Sequence, residues 1–255
     1  MSVVAFEELP ENVRMLGNEF VVGVREMLGE NLHGVYMYGA TVFPDRGRPS
    51  DIDCHVVLEA PLTREQRGAI EALHARLAQD FPPLGAELDV VYVLRKEAEG
   101  ANPPKNQMRP GTRDESWALH CAHVRAGYFL RLFGPPPERI FPAPSWERVA
   151  EALDHELAYV EEHLHWPAYC VLNLCRIVYS RMERNPAVSK RFSGAWARVR
   201  YPAWSGVIAA ALRCYEGTAT QSDVELLRNK VSEFLNFMRT ELVGLHRSGI
   251  SSQCS

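Results

Sequence analysis

Three short stretches decide the fold of this chain: Tyr-Gly-Ala-Thr at residues 38–41, Ser-Asp-Ile-Asp at 50–53 and Leu-Asp-Val-Val at 88–91. Each adjoins a run of apolar residues with the composition of a buried strand. Residues two apart on a strand point to the same side, so Asp51 and Asp53 present neighbouring carboxylates. Because only a cation relieves their mutual repulsion, the pattern predicts a strand with a cation-binding site at one end.

Magnesium suits such a pair of carboxylates. Mg²⁺ prefers hard oxygen ligands, keeps some of its waters and completes its shell with substrate phosphates. Asp89 lies in a later predicted strand that can pair beside the first, and Glu87 shares its face as the alternative acid. A third carboxylate either holds a second ion or accepts the proton of an attacking hydroxyl. We therefore predict a site for one or two Mg²⁺ ions, with Asp89 as base or ligand.

The glycine turn after the first strand predicts a phosphate contact. Gly39 has no side chain, so the backbone amides of Ala40 and Thr41 can approach phosphate oxygens, and Thr41 adds a hydroxyl. A glycine turn or an Asp-x-Asp pair alone is common and weak evidence. Their combination with Ser50 and an acidic residue in a later apolar strand is far more specific, and we assign Gly39, Ala40, Thr41 and Ser50 to nucleotide binding.

The two halves of the chain differ in periodicity. Strand and helix patterns alternate in the first half, over residues 13–28, 34–38, 51–58, 63–79 and 88–94. A segment rich in Pro and Gly follows at 98–114, and the later periodicity is helical, over 117–133, 146–164, 169–182, 192–199, 204–215 and 223–245. We predict an α+β fold: a domain at 1–105 with a small mixed sheet flanked by helices, and an all-α bundle at 106–255.

Composition limits the class of partner. The 255 residues are 46% hydrophobic, enough for a globular protein, and 32 acidic against 28 basic residues give a net charge of -4. This balance does not favour nucleic acid or an anionic membrane, and it suits a small cationic substrate. Six cysteines without Cys-x-x-Cys spacing indicate reduced thiols and no zinc site. We expect a cytoplasmic protein with no secretion signal and no membrane span.

The acidic motifs resemble the active-site signature of the DNA polymerase β-type nucleotidyltransferases, which is Gly-Ser, then Asp-x-Asp, then a third acid. Residues 172–180, 188–190 and 194–197 resemble the helical domain of the aminoglycoside 3''/9 nucleotidyltransferases, the streptomycin and spectinomycin adenylyltransferases. The resemblance covers nearly the whole chain. It implies that the first domain is catalytic and that the helical domain contributes contacts to ATP and to the acceptor.

The resemblance also implies a role for each matching residue. Asp51 and Asp53 become the magnesium ligands and Asp89 the catalytic base. Arg176 and Lys190 become contacts to the ATP phosphates, as a fork of donors and a point charge. From the residues alone, a snorkelling arginine and an ordinary exposed lysine remain alternatives. The implied reaction is transfer of AMP from Mg-ATP to a hydroxyl of a streptomycin-like or spectinomycin-like antibiotic, by a monomer.

This chain departs from the family pattern in three places. Ala40 replaces the signature serine, Asp89 replaces the usual glutamate, and residues 163–167 do not carry the acidic drug-recognition residues expected there. Trp117 and Trp166 are candidates to stack on an amino sugar or guanidino group, with core packing as the alternative. A metabolite or protein acceptor, or a non-catalytic binding role, therefore stays open.

Other polar residues of the second half give weaker signals. Four acidic residues can supply negative charge to an acceptor pocket or simply solvate a helix, namely Asp114, Glu115, Glu161 and Glu162. Four histidines have a spacing that suggests a metal site but no accompanying Cys or carboxylate pattern, namely His120, His123, His163 and His165. We expect ordinary helical histidines at these positions.

Overall fold

The computed structural model describes residues 2–47 and 51–251, with the side chains of 2–47 and 51–245. Ser50, which the sequence assigns to nucleotide binding, lies outside the described residues. The chain divides into two compact units, Met1–Val149 and Ala150–Ser255. The first unit holds a four-stranded mixed sheet and the described part of the second is helical, which confirms the predicted α+β class.

The sheet has the order β3-β2-β1-β4. Its strands are β1 (Leu32–Tyr38), β2 (Ile52–Leu58), β3 (Leu88–Leu94) and β4 (Leu130–Phe133). β1 is antiparallel to β2 and β4, and β2 is parallel to β3. Parallel neighbours need a crossover connection, which a helix between β2 and β3 supplies.

Apart from the short helix Arg95–Ala98, which was not predicted, the helices occur where the sequence predicted them, with one exception. In chain order they are α1 (Glu11–Leu28), α2 (Arg64–Asp80), α3 (Arg95–Ala98), α4 (Trp117–Arg125), α5 (Trp146–Glu162), α6 (Pro167–Glu183), α7 (Lys190–Arg200), α8 (Ser205–Glu216) and α9 (Gln221–Ser251). The predicted capping box of α2 is confirmed, because the Thr63 hydroxyl accepts from the amide of Gln66. The exception is 117–133, where the helix ends early and β4 follows, since Gly127 adopts a φ of 92°.

Each face of the sheet has its own apolar core. On one face, β-strand residues such as Cys54 and Val90 pack with Phe20 of α1 and Leu73 of α2. On the other face, Tyr36, Val57 and Val93 pack with α4 and with the segment around Phe141. The alternation of side chains along the strands explains why neighbouring residues enter different cores.

The unit boundary differs from the predicted one. It lies between Val149 and Ala150, in the first turns of α5, rather than between residues 105 and 106. Residues 106–149 belong with the sheet because β4 pairs with β1 and α4 covers one sheet face. The segment 98–114 is anchored as well: the amide of Gln107 donates to the carbonyl of Tyr92, 2.8 Å away. Its Pro and Gly content marks an ordered connection within the first unit and not a linker.

The second unit is organised around α6, which packs against α7, α8 and α9. Its apolar residues, such as Leu174 and Val178, are buried. Gly194 of α7 lets the helices approach closely, since a Cβ there would lie 3.0 Å from the Leu212 side chain and 3.2 Å from that of Leu172. Among the helices that the structure describes, none has the length and apolar character needed to cross a membrane.

Candidate active site

Three carboxylates meet at one end of β2 and β3. Asp53 and Asp89 are register partners on these parallel strands, so their side chains point to the same face of the sheet. Asp51 immediately precedes β2, where the amide of Ile52 donates to the carbonyl of Glu87 at 3.1 Å. The structure therefore brings together the acids that the sequence singled out, and Glu87 lies exposed in the turn before β3.

Gly39 is required by the position of Asp53. Its φ is 76°, in the left-handed region, and a Cβ on it would lie 1.8 Å from Oδ2 of Asp53. The Asp53 carboxylate thus occupies the space that any other residue at position 39 would fill. The following residues form a short 3-10 turn, Ala40–Val42. The end of β1, the turn after it and the Asp53 carboxylate therefore pack directly against one another.

Thr41 connects this turn to the segment that carries Asp51. Its side chain is buried, and its hydroxyl donates to the main-chain carbonyl of Asp51 over 2.9 Å. A hydroxyl has one proton to donate, so the proton that the sequence assigned to a phosphate is used inside the protein. Thr41 therefore fixes the residue before β2, and Ala40 offers no hydroxyl in its place.

The acids generate a negative field at the site. Burial, then the charges of Asp53 and Asp89, raise the pKa of the Cys54 thiol. Arg109 forms a long ion pair with Asp89, with 3.8 Å between Nη2 and Oδ1, and both side chains are mostly exposed. An exposed pair at this distance neutralises little charge. The donor set consists of carboxylate oxygens, which fits a hard dication such as Mg²⁺.

A buried His-Asp-His cluster lies on the same sheet face. Oδ2 of Asp114 is 2.8 Å from Nε2 of His55 and 2.9 Å from Nδ1 of His120. Burial would raise the pKa of Asp114, but His120 and His55 together outweigh it, so the pKa is lowered. Burial lowers the pKa of His55. The sequence placed Asp114 in an acceptor pocket or at the surface and His120 among ordinary helical histidines; the missed signal was a histidine inside an apolar strand.

Trp117 is not available for stacking on an acceptor. Its side chain is 1% exposed, and Nε1 donates to the carbonyl of Gly100 at 3.1 Å. The ring packs against Phe141 and edge-on to His55. The core-packing alternative therefore applies to this residue, because α4 uses it to close the second core of the first unit.

In the second unit, Arg176 and Lys190 lie around one tyrosine. Nζ of Lys190 is 4.9 Å from the ring centroid of Tyr169. Burial raises the pKa of Tyr169, Glu156 adds to this, and the positive charge of Arg176 opposes it. Nη1 of Arg176 is 3.5 Å from Oδ1 of Asn173, in the same helix. The two predicted phosphate contacts are thus brought together, through a tyrosine that the sequence did not single out.

A row of neighbouring aromatic rings extends from Tyr169. The ring of Trp166 is half exposed and lies 6.4 Å from Tyr169 and 5.2 Å from His163, measured between centroids. His163 in turn stacks on Tyr159 at 3.8 Å. Trp166 therefore keeps an accessible surface, unlike Trp117.

Two comparisons with known proteins bear on the second unit and on the fold. Residues 139–241 match the family model of the aminoglycoside adenylyltransferase C-terminal domain. In structure the chain is similar to the spectinomycin adenyltransferase AAD(9) from Enterococcus faecialis, solved with ATP and spectinomycin. The TM-score is 0.72 at 19% identity, over 88% of this chain and 98% of that chain, which shows a shared fold. Most of the second unit therefore matches the C-terminal domain of the aminoglycoside adenylyltransferases, and the chain shares the fold of a spectinomycin adenyltransferase.

Proposed function

We propose that the chain transfers AMP from Mg-ATP to a hydroxyl of a streptomycin-like or spectinomycin-like aminoglycoside. The observation that carries the proposal is the pairing of Asp53 with Asp89 in register, beside Asp51 and against the Gly39 turn. Carboxylates gathered at a strand end beside a glycine turn suit a metal-bound triphosphate. The family of the second unit points to an aminoglycoside as the acceptor.

The acidic residues of the first unit have two roles in the transfer: metal binding and proton removal. Asp51 and Asp53 would hold Mg²⁺, which supplies charge neutralisation to the triphosphate when bound. Asp89 takes the proton of the acceptor hydroxyl, whose oxygen forms a bond to the α-phosphorus while the bond to pyrophosphate breaks. Since little else is needed chemically, most of the rate enhancement comes from positioning and charge stabilisation.

The second unit would bind the charged ends of both substrates. Arg176 and Lys190 supply positive charge for the phosphates, and they contact Asn173 and the ring of Tyr169, respectively. The exposed ring of Trp166 offers a face to an amino or guanidino group, because cations are attracted to the face of Trp. This aromatic surface stands where acidic drug-recognition residues were expected.

Pyrophosphate release tests the proposal. Purified protein is incubated with ATP and Mg²⁺ and challenged separately with streptomycin, spectinomycin and a panel of other aminoglycosides. Release that depends on one antibiotic and is lost in Asp51→Asn supports the proposal and names the acceptor. Retention of near-normal release in Asp51→Asn would refute the metal assignment. ATP binding without release across the whole panel would point to another acceptor or to a binding role.

A further inference from the structure

The His55, Asp114 and His120 cluster has no part in the function proposed above. One carboxylate oxygen of Asp114 accepts from both imidazoles, at 2.8 and 2.9 Å. His55 is completely buried and Asp114 nearly so, while the side chain of His120 is 19% exposed. Three polar side chains this deep in an apolar core cost free energy unless their hydrogen bonds are made.

The hydrogen bonds of His55 identify the cluster as a network and not a metal site. Nδ1 of His55 is buried, and within the described residues it has no hydrogen-bond partner. With the proton on Nε2, donated to Asp114, Nδ1 keeps only a bare lone pair. A metal on Nε2 would move the proton to Nδ1, where the buried N–H would have no acceptor. The described geometry therefore favours two N–H donors shared by one carboxylate.

The network is connected to Asp53 by two routes. His55 lies two residues beyond Asp53 on β2, so both side chains are on the same face of the sheet. Tyr38, the register partner of Asp53, has its ring stacked on His55 at 4.3 Å and tilted against His120 at 4.4 Å. A shift of either imidazole would be transmitted to the strand end that carries Asp53 and to the Gly39 turn that abuts it.

We propose that His55, Asp114 and His120 are positioning residues that hold Asp53 in the geometry needed to bind the metal. This inference rests on the proposed function, because it takes Asp53 as a metal ligand. Replacing a residue that contacts and orients a metal ligand typically lowers metal affinity or activity by about 10- to 100-fold. The same size of effect is expected here, since hydrogen bonds within the network fix the imidazoles and their rings pack on Tyr38, the register partner of Asp53.

Paired variants separate positioning from packing. At position 55, Gln places an N–H donor where Nε2 of His lies, whereas Leu fills the apolar site without a donor. At position 120, Asn likewise replaces Nδ1, and Leu again does not. Each pair removes the ring contact with Tyr38 equally. If the cluster only packs, the folded Leu variant binds Mn²⁺ as well as the amide variant; if it positions Asp53, the amide variant binds Mn²⁺ more tightly than the Leu variant.

The first measurement is Mn²⁺ affinity, followed by electron paramagnetic resonance, which needs no acceptor. We expect His55→Leu and His120→Leu to weaken Mn²⁺ binding about tenfold or more, with His55→Gln and His120→Asn closer to the wild type. Thermal unfolding shows that each variant is folded. Should His55→Leu fail to fold, the more exposed position 120 gives the same comparison.

Three results would overturn the inference: Leu variants equal to or better than the amide variants, Mn²⁺ affinity unchanged in all four, or Co²⁺ bound tetrahedrally at His120. The proposed function fails in a different way. In that case Asp53→Asn leaves Mn²⁺ affinity unchanged, or the wild type releases no pyrophosphate with any acceptor. Pyrophosphate assays on the four variants then show whether turnover falls in the same order as Mn²⁺ affinity.

Discussion

The two charged regions of this protein are built in opposite ways. At the end of β2 and β3, like charges are placed side by side by the backbone register, which sets Asp53 opposite Asp89. Around α6, Arg176 contacts the amide of Asn173 and Lys190 contacts the ring of Tyr169. The first region offers carboxylates to a cation, and the second offers cations to an anion. The backbone sets the geometry of the first, and side-chain packing sets that of the second.

The largest effect should come from the acidic region. Asp53→Asn removes one carboxylate from the metal site, and we expect turnover to fall about a thousand-fold, because a bound metal contributes several kcal/mol of charge stabilisation. Folding stability should be kept or increased, since repulsion between neighbouring carboxylates is relieved. Pyrophosphate release and urea unfolding measure the two quantities. Asp80→Asn, the same change at an exposed position in α2, serves as the control, and an equal loss of turnover there would contradict the assignment.

Gly39→Ala should have the next largest effect. The added Cβ would collide with Oδ2 of Asp53, at 1.8 Å, so the carboxylate must move and we expect turnover to fall about a hundredfold. Gly29 is a matched control with a positive φ of 51°, and a Cβ there would meet no other described residue within 4 Å beyond its chain neighbours. Gly29→Ala therefore reports backbone strain alone, about 1 to 3 kcal/mol of stability. If both variants lose the same activity, the contact between Gly39 and Asp53 is not what matters.

The acidic region was predictable from the sequence, and the reasons are local. The two-residue period of a strand places Asp51 and Asp53 on one face whatever the rest of the fold does. The parallel pairing that brings Asp89 beside Asp53 follows from the strand-helix-strand order. The helices were predictable for the same reason, because their periodicity is contained in short windows.

Features that depend on distant parts of the chain were not predictable. The short strand β4 is recognisable only through its pairing with β1, and it moved the unit boundary from 105 to 149. Asp114 and His55 are far apart in sequence, so their hydrogen bond could not be read from spacing. Trp117 has the composition of a ligand-stacking residue, yet the core of the first unit buries it. The role of Tyr169 likewise requires the start of α7 to bring Lys190 over its ring.

The cationic region should affect substrate binding more than turnover. Arg176→Ala removes a fork of donors from the proposed phosphate contact, and we expect KM for ATP to rise about tenfold, as for a charged hydrogen bond. Arg176→Lys should recover part of the loss, because the charge stays and the fork does not. Steady-state kinetics with varied ATP gives both values. Arg228→Ala, an exposed arginine of α9, is the control, and an effect on KM for the acceptor alone would place Arg176 at the other substrate.

Tyr169 gives the smallest effect and the sharpest comparison. Its ring lies 4.9 Å from Nζ of Lys190, a cation–π contact that holds the ammonium without neutralising it. Tyr169→Leu removes the ring, and since such a contact is worth about 0.5 to 1 kcal/mol, we expect KM for ATP to rise about two- to fivefold. Tyr169→Phe keeps the ring and should raise KM less. The order of the two variants decides the point: if Phe and Leu are equally impaired, the hydroxyl matters and the ring does not. In that case the Tyr169 hydroxyl, and not the packing of its ring on Lys190, would set the geometry of the cationic region. Directed hydrogen bonds would then fix that region, much as backbone register fixes the acidic one.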